Sequence, residues 1–235
     1  LSKKPFVIKT ETCNLKTETL IIATGASAMW LGIPSEQRLI GKGVSSCAVC
    51  DGFFFKDKNV IVVGGGDTAM REAAYLSKLC KKVIVVHRRD KLRAQLALQE
   101  LVKSKKNVDF IWNTVVEEIL GQDPSTSSGQ DKVTGVRLKN TQNGKISQLG
   151  IDGVFIAIGH KPNTGFLKGQ LPLDEKGYVK VLNETHTEVK GVFVAGDVAD
   201  YHYRQAVTAA GMGCKAAFDV EEYLSRLDRD LENLK

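Results

Sequence analysis

Two cysteines separated by two residues, Cys47 and Cys50, are the side chains in this sequence best suited to chemistry. A pair at this spacing can close a small disulfide, and such pairs shift one thiol towards the thiolate at neutral pH. Asp51 follows directly and could donate and accept the proton of the leaving thiolate, although an Asp before Gly52 could equally cap a turn. The pattern predicts a redox-active dithiol with Asp51 as a candidate acid.

The alternative interpretation of such a pair is that its two cysteines are ligands of a zinc ion. Tetrahedral zinc needs four ligands, and the sequence has no second Cys pair or His pair at a usable spacing, so we expect no metal site. The other cysteines, Cys13, Cys80 and Cys214, stand alone, and an odd total of five excludes a fully paired disulfide framework.

A glycine triplet follows the apolar run at residues 60–63 and precedes a candidate helix. In such a unit the first glycine permits a tight turn, Gly66 lets the backbone approach a pyrophosphate, and Ala69 lets the helix lie close to the strand. The amides at the helix start then bind the anion. A tight turn without a ligand is the alternative, and the flanking strand and helix favour the nucleotide. The predicted dinucleotide site consists of Gly64, Gly65, Gly66, Asp67, Thr68 and Ala69.

The residues after the next apolar run indicate which nucleotide would bind. An NAD site usually has an acidic residue there, which accepts a hydrogen bond from the ribose 2'-hydroxyl. Here the run ends in His87, Arg88 and Arg89, with Arg93 a helical turn further on. Guanidinium groups pair with a 2'-phosphate through charge-assisted hydrogen bonds. The group therefore predicts NADPH, against the alternative of solvated basic residues at a helix start.

Hydrophobic patterning predicts the elements that would position these residues. Short apolar runs predict buried parallel strands at 20–23, 60–63, 83–86, 154–158 and 192–195. Helical spacing at 67–79, between two of these runs, predicts a right-handed Rossmann crossover. Other patterns predict helices at 92–102 and 206–227, strands at 108–112 and 133–138, and a polar loop, a hairpin tip, at 121–132.

Composition limits the classes of function. With 235 residues, 43% of them hydrophobic and 26% charged, the chain is expected to form two ordinary soluble domains. No apolar run approaches the roughly 20 residues of a membrane helix, so we expect no membrane partner. The net charge of +6 is spread along the chain apart from the arginine group, so we expect no nucleic-acid partner. A cytoplasmic protein is the default expectation.

Six motifs occur in the order found in thioredoxin reductases of the low-molecular-weight, bacterial type. They are Ala23-Thr24-Gly25-Ala26, the dithiol motif at 47–52, the glycine turn at 64–69, His87-Arg88-Arg89 with Arg93-Ala94, Ala157-Ile158-Gly159-His160, and Ala195-Gly196-Asp197-Val198. The sequence resembles this family from about residue 6 to residue 227.

This resemblance implies an α/β homodimeric flavoprotein with two Rossmann-like nucleotide-binding domains, the pyridine nucleotide-disulfide oxidoreductase fold. An NADPH domain at 30–159 would carry the dithiol and would be inserted into an FAD domain formed by residues 1–29 and 160–235. In the family, electrons pass from NADPH through FAD to the dithiol and then to thioredoxin. By resemblance, Cys50 faces the flavin, Cys47 attacks thioredoxin and Asp51 is the acid. The implied FAD contacts are Thr24, Gly25, Gly196, Asp197, Arg204, Gln205 and Ala206.

One departure from the family concerns FAD. The family begins with a G-x-G-x-x-G turn that holds the FAD pyrophosphate, and no such turn precedes Gly64 here. We therefore expect the N-terminal FAD-binding segment to be missing and the FAD domain to be incomplete. A non-catalytic NADPH-binding module is the alternative function. Peroxiredoxin-reducing relatives lack the His-Arg-Arg group and ferredoxin NADP reductases lack the C-x-x-C pair, and both features are present here.

Overall fold

The structure, a computed structural model, describes residues 1, 3–122, 131–167 and 169–232. The chain divides into two units: unit 1 comprises residues 1–27 and 160–235, and unit 2 comprises residues 28–159. The assignment of FAD to the first and NADPH to the second remains a prediction. Within the described residues, no helix combines the length and the apolar character that crossing a bilayer requires.

Strands and helices are numbered here in chain order. The strands are β1 (Phe6–Lys9), β2 (Asn14–Thr17), β3 (Leu20–Ile22), β4 (Ala26–Ala28), β5 (Val44–Ser45), β6 (Asn59–Val63), β7 (Lys82–Val86), β8 (Val108–Ile111), β9 (Thr114–Gly121), β10 (Val133–Asn140), β11 (Ile146–Gly150), β12 (Gly153–Ile156), β13 (His160–Pro162) and β14 (Val192–Val194). The helices are α1 (Pro34–Leu39), α2 (Ala48–Asp51), α3 (Asp67–Leu76), α4 (Leu96–Lys103) and α5 (Ala206–Glu232).

A parallel sheet in the order β5-β12-β6-β7-β8 forms the centre of unit 2. One face packs against α3, whose Ala69, Ala73 and Leu76 are fully buried. The opposite face packs against Ile119 of β9 and Val136 of β10. Parallel strands covered on both faces are apolar throughout their length, which explains why the runs were detectable in the sequence. The predicted α/β fold with its β6-α3-β7 unit is confirmed.

The second face of this sheet is covered by an antiparallel sheet in the order β11-β10-β9. Only the β10 part of this sheet was predicted. Strand β9 was missed, and so was β11, whose residues are mostly exposed and give no apolar signal. Strand β9 ends at Gly121 and β10 begins at Val133, so the predicted hairpin tip joins them, but its residues 123–130 lie outside the described part of the chain.

Unit 1 is built from two separate stretches of the sequence. Strand β3 pairs in parallel with β14, while β1 and β2 form an antiparallel hairpin. Buried Phe6, Ile22 and Val194 belong to its core, and α5 packs on β14 through Ala216 and Phe193. The predicted strands at 20–23 and 192–195 and the long C-terminal helix are therefore present.

The two ends of unit 2 are held within the unit itself. The amide of Met29 donates to the carbonyl of Gly159 over 2.9 Å. Glu36, fully buried on α1, accepts from the amides of Leu31 and Gly32, each over 2.9 Å. A buried carboxylate is stable only with such donors, so Glu36 fixes the first segment of unit 2.

Candidate active site

The dithiol lies at the end of β5, where the chain leaves the edge of the parallel sheet. Cys47 and Cys50 form a disulfide, with their Cα atoms 5.3 Å apart, so the predicted pairing is confirmed. Cys47 precedes the single turn of α2, and its sulfur accepts from the amide of Cys50 over 3.1 Å. Cys50 is exposed and Cys47 is half-buried.

Asp51 is held beside the dithiol by a residue that sequence reasoning missed. The hydroxyl of buried Ser45 donates to Asp51 Oδ2 over 2.6 Å and accepts from the amide of Cys47 over 3.0 Å. The side chain of Asp51 makes no capping bond to the following turn, so the turn-cap alternative is not formed. Ser45 thus connects the candidate acid to the backbone of the first cysteine.

Asp51 also faces a cleft of about 630 Å³. Lys42, Phe54 and Lys58 line the same cleft. Lys42 lies 3.8 Å from the carboxylate of Asp131, which is buried and also accepts from Arg38 over 3.1 Å. The cleft gives the Asp51 carboxyl a route to solvent, which a group that exchanges protons needs.

The glycine turn joins β6 to α3, as the pattern predicts. Each of its three glycines has a different environment. Gly64 has φ of +152°, and a side chain there would overlap the carbonyl oxygen of Ala157. A side chain at Gly65 would overlap the imidazole of His87. At Gly66, by contrast, no protein atom lies within 4 Å of where Cβ would be. Gly66 therefore leaves room for a ligand against the backbone at the start of α3, which suits a pyrophosphate.

This difference predicts opposite outcomes for two alanine substitutions. Gly66→Ala should change the free energy of unfolding by less than about 0.5 kcal/mol, because its φ of −99° suits any residue. It should weaken NADPH binding about tenfold, because the methyl group would stand between the amides and the pyrophosphate. Gly65→Ala, the matched variant, should cost about 1–3 kcal/mol of stability because the imidazole must move. Urea unfolding and NADPH titration measure both, and unchanged NADPH affinity in Gly66→Ala would contradict the site.

The arginine group lies on a loop that is bonded to the glycine turn. The amides of Arg93 and Ala94 donate to the carbonyl of Gly65 over 2.7 and 3.2 Å. The amide of Gln95 donates to Oδ1 of Asp67 over 2.8 Å. Helix α4 consequently begins at Leu96. The predicted start of this helix, at residue 92, was therefore wrong. The guanidinium groups are exposed on a loop rather than on the first turn of a helix.

His87 has a different environment from the arginines that follow it. It is buried, and Nε2 lies 3.0 Å from the carbonyl of Lys91, to which it donates. Burial lowers the pKa of His87, the bond to Lys91 opposes this, and Arg93 and the other two guanidinium groups lower it further. The ring is therefore neutral at pH 7, packs against Gly65 and holds the loop, while the positive charge comes from the arginines.

The predicted FAD contacts of unit 1 include two buried polar atoms without partners. Within the described residues, Asp197 Oδ1 and Arg204 Nε are buried and make no hydrogen bond. Burial raises the pKa of Asp197, repulsion by Asp200 raises it further, and Arg204 lowers it. Arg204 has a left-handed φ of +51° and approaches His160 Nδ1 at 3.3 Å. Buried groups of this kind require a partner, so the pair fits a polar ligand such as the predicted FAD.

The other predicted FAD residues lie on neighbouring segments of unit 1. Thr24 donates to the carbonyl of Asn163 over 2.9 Å. Gly25 has φ of +70° with no atom within 4 Å of a Cβ position. Gln205 and Ala206 lie where α5 begins, directly after Arg204, and Gly196 begins the 3₁₀ turn that carries Asp197. Their contacts with FAD stay predictions.

Comparison with known proteins is consistent with this geometry. Residues 2–213 match the family model described as pyridine nucleotide-disulphide oxidoreductase. The thioredoxin reductase of Coxiella burnetii is 51% identical, an alignment that covers 97% of this chain and 72% of that protein. The thioredoxin reductase of Rickettsia conorii is 50% identical, in an alignment that covers 96% of this chain and 72% of that protein.

The chain belongs to the thioredoxin reductase family. A solved thioredoxin reductase from Streptococcus pyogenes matches with a TM-score of 0.85 and 43% identity, covering 94% of this chain and 70% of that one. The thioredoxin reductase from Giardia duodenalis matches with a TM-score of 0.85 and 44% identity, covering 95% of this chain and 72% of that one. Membership in the family confirms the resemblance and implies a pyridine nucleotide and a disulfide as reacting groups. The choice of NADPH, the use of FAD and the role of each site residue stay predictions.

Proposed function

We propose that this chain is a thioredoxin-disulfide reductase that transfers electrons from NADPH through FAD to the Cys47–Cys50 disulfide and then to thioredoxin, and so maintains the cell's redox balance. The observation that carries this proposal is the closed Cys47–Cys50 disulfide, which lies in the same unit as the glycine turn and the loop with the three arginines. We call this loop, which carries Arg88, Arg89 and Arg93, the arginine loop. The names of the relatives at about half identity support thioredoxin as the substrate.

The main predicted residues have separate parts in this proposed reaction. The amides after Gly66 and the arginine loop bind and orient NADPH, while Asp197 and Arg204 hold the polar part of FAD. FAD, when bound, supplies the two-electron step between nicotinamide and disulfide. Reduction breaks the Cys47–Cys50 bond, after which the Cys47 thiolate attacks one sulfur of thioredoxin and the other sulfur leaves. Asp51, held by Ser45, gives the leaving sulfur its proton, and Cys50 then attacks the mixed disulfide and closes the ring.

Three exposed apolar residues lie close to the dithiol in the chain. Val49 is 57% exposed, and Phe53 and Phe54 are each 71% exposed, all within four residues of Cys50. Large aromatic side chains at this exposure are unusual on a protein that makes no contacts, and they favour a protein substrate over a small one. We call these three residues the dithiol surface and infer that thioredoxin docks on it, with Lys42 at its edge.

Removing the aromatic rings should weaken docking without affecting the nucleotide. Phe53→Ala/Phe54→Ala is expected to raise the KM for thioredoxin about tenfold or more, because each ring would be desolvated in the complex. NADPH affinity should stay within twofold. Phe166→Ala is the matched control, since Phe166 is 58% exposed in unit 1. An equal rise in KM for the control, or none for the double variant, would contradict the docking surface.

The whole reaction is tested by a spectrum followed by an assay. We expect purified protein supplied with FAD to show flavin bands, NADPH to bleach them, and thioredoxin to be reduced in a coupled assay. NADPH binding without flavin binding or turnover would favour the alternative, a non-catalytic nucleotide-binding module. Homodimer formation and a cytoplasmic location are further proposals from the family resemblance, and sedimentation would test the first.

A further inference from the structure

The arginine loop is bonded to the rest of unit 2 at both of its ends. Its C-terminal end is held by the carbonyl of Gly65 in the glycine turn. At its N-terminal end, the carbonyl of His87 accepts a hydrogen bond from the amide of Thr114 over 3.0 Å. The carbonyl of Arg89 accepts from the amide of Asn113 over 3.2 Å. The start of β9 and the residue before it therefore hold the part of the loop that carries its first two arginines.

Asn113 links the arginine loop to a second segment. Its φ of +51° lies in the left-handed region, which Asn adopts more readily than most residues that carry a Cβ atom. In this conformation its amide donates to Arg89, while its carbonyl accepts from the amide of Thr141 over 2.6 Å and from the Thr141 hydroxyl over 3.0 Å. One residue with an uncommon backbone conformation thus joins the loop to the turn that follows β10.

Thr141 is itself held in a closed turn. It directly follows β10, and Oδ1 of Asn140 accepts from the amides of Gln142 and Asn143 over 2.9 and 3.1 Å. The Thr141 hydroxyl also lies 3.4 Å from the carbonyl of Arg88. The antiparallel sheet therefore holds the backbone of the arginine loop, although none of its residues belongs to the predicted nucleotide site.

We propose that Asn113 and Thr141 are positioning residues for the 2'-phosphate: they fix the backbone of the arginine loop and so determine how strongly the protein prefers NADPH to NADH. This inference deepens the proposed use of NADPH and rests on it. Arg88 and Arg89 are exposed, and their long side chains lose rotamer freedom when they bind. A loop whose backbone is already fixed has less entropy to lose when its guanidinium groups bind a phosphate. NADH has no 2'-phosphate, so its affinity should not depend on the pair.

The first test changes the backbone preference of residue 113. A β-branched side chain disfavours the left-handed region, so Asn113→Val should move this backbone away from Arg89. We expect NADPH affinity to fall about tenfold in titrations of the full chain, with NADH affinity unchanged within twofold. Asn113→Gly adopts a positive φ freely and should retain the wild-type preference within twofold. An unchanged preference for NADPH in Asn113→Val, or the same loss in both variants, would overturn the proposal.

The second test removes the hydroxyl of Thr141 and serves also if Asn113→Val does not fold. Thr141→Val keeps the shape of the side chain and should weaken NADPH binding about threefold, with no change for NADH. Thr141→Ser keeps the hydroxyl and should match wild type. Added to Arg88→Ala/Arg89→Ala, Thr141→Val should have no further effect, because no guanidinium group is left to position. Equal effects of Thr141→Val in the two backgrounds would refute a role through the arginines.

A control separates positioning from a general loss of stability. Asp57 also lies in unit 2 with a left-handed φ of +59°, and its amide donates to the carbonyl of Leu79 over 3.0 Å. Asp57→Val therefore introduces the same kind of backbone strain away from the arginine loop. It should lower the free energy of unfolding but leave the ratio of NADPH to NADH affinity unchanged. A change in this ratio equal to that of Asn113→Val would overturn the proposal.

A measurement without nucleotide tests the bond to the loop directly. Hydrogen exchange at the amide of residue 113 should be about threefold faster or more in Thr141→Val, because the carbonyl of this residue is then less firmly held. An unchanged exchange rate would overturn the proposal. Equal affinity of the wild type for NADPH and NADH would refute the proposed use of NADPH, and the positioning role with it. If the wild type prefers NADPH and every variant keeps that preference, only the positioning role fails.

Discussion

Replacing Cys50 by serine is expected to lower NADPH-dependent reduction of thioredoxin by roughly a thousandfold or more. A serine hydroxyl neither forms a disulfide nor ionises near neutral pH, so the two electrons have no acceptor between nucleotide and substrate. NADPH binding should be unchanged within twofold, because Cys50 is not among the residues predicted to bind the nucleotide. A coupled thioredoxin assay and an NADPH titration on the same preparation give the two values.

The matched control for this variant is Cys13→Ser. Cys13 is also exposed, and it lies in the turn between β1 and β2, where its amide donates to Thr10 Oγ1 over 3.0 Å. This control should retain wild-type turnover. A Cys50→Ser protein that still reduced thioredoxin at more than a few per cent of the wild-type rate would show that electrons bypass the dithiol, and the proposed function would have to be abandoned.

The second large effect is expected at the arginine loop. Arg88→Ala/Arg89→Ala should weaken NADPH binding about a hundredfold, because each charge-assisted hydrogen bond to the 2'-phosphate is worth about 1.5–3 kcal/mol. NADH, which has no 2'-phosphate, should bind the variant and the wild type with affinities within about threefold of each other. The wild-type preference for NADPH should also decrease as salt is added, since the guanidinium groups are exposed.

Arg226→Ala serves as the control for a lost surface arginine. Arg226 is 67% exposed on α5, where it pairs with Glu222, and its removal should leave both nucleotide affinities unchanged. If the loop variant lost affinity equally for NADPH and NADH, the arginines would support the fold of the site rather than bind the 2'-phosphate. In that case the 2'-phosphate would be bound elsewhere.

The features that the sequence predicted are those encoded by neighbouring residues. The dithiol, the glycine turn and the buried parallel strands each depend on a short continuous pattern. The start of α4 was misplaced because Leu92, partly buried against the core, has the apolar character of a helix position although it lies on the loop bonded to Gly65. Strand β11 was missed because an exposed strand gives no alternation of apolar and polar residues.

The buried acids could not have been found from the sequence. A single Glu in a helix normally faces water, and neither Glu36 nor Glu72 is distinguished by its neighbours in the sequence. Their environments depend on tertiary contacts: Glu36 accepts from amides of the segment before α1, and Oε2 of Glu72, on α3, is buried without a hydrogen-bond partner among the described residues. Ser45 likewise gains its role only because α2 turns back over it.

The discontinuity of unit 1 has a consequence for the order in which the protein folds during synthesis. Strand β3 leaves the ribosome long before its partner β14 has been made, whereas unit 2 is one continuous stretch and can complete its core in the interval. Once folded, unit 2 holds Met29 against Gly159, so the long intervening segment behaves as a short connection and the entropy of bringing β3 to β14 falls. Substitutions that slow the folding of unit 2 would therefore prolong the time for which β3 remains unpaired and prone to aggregation, although they lie far from it in the sequence.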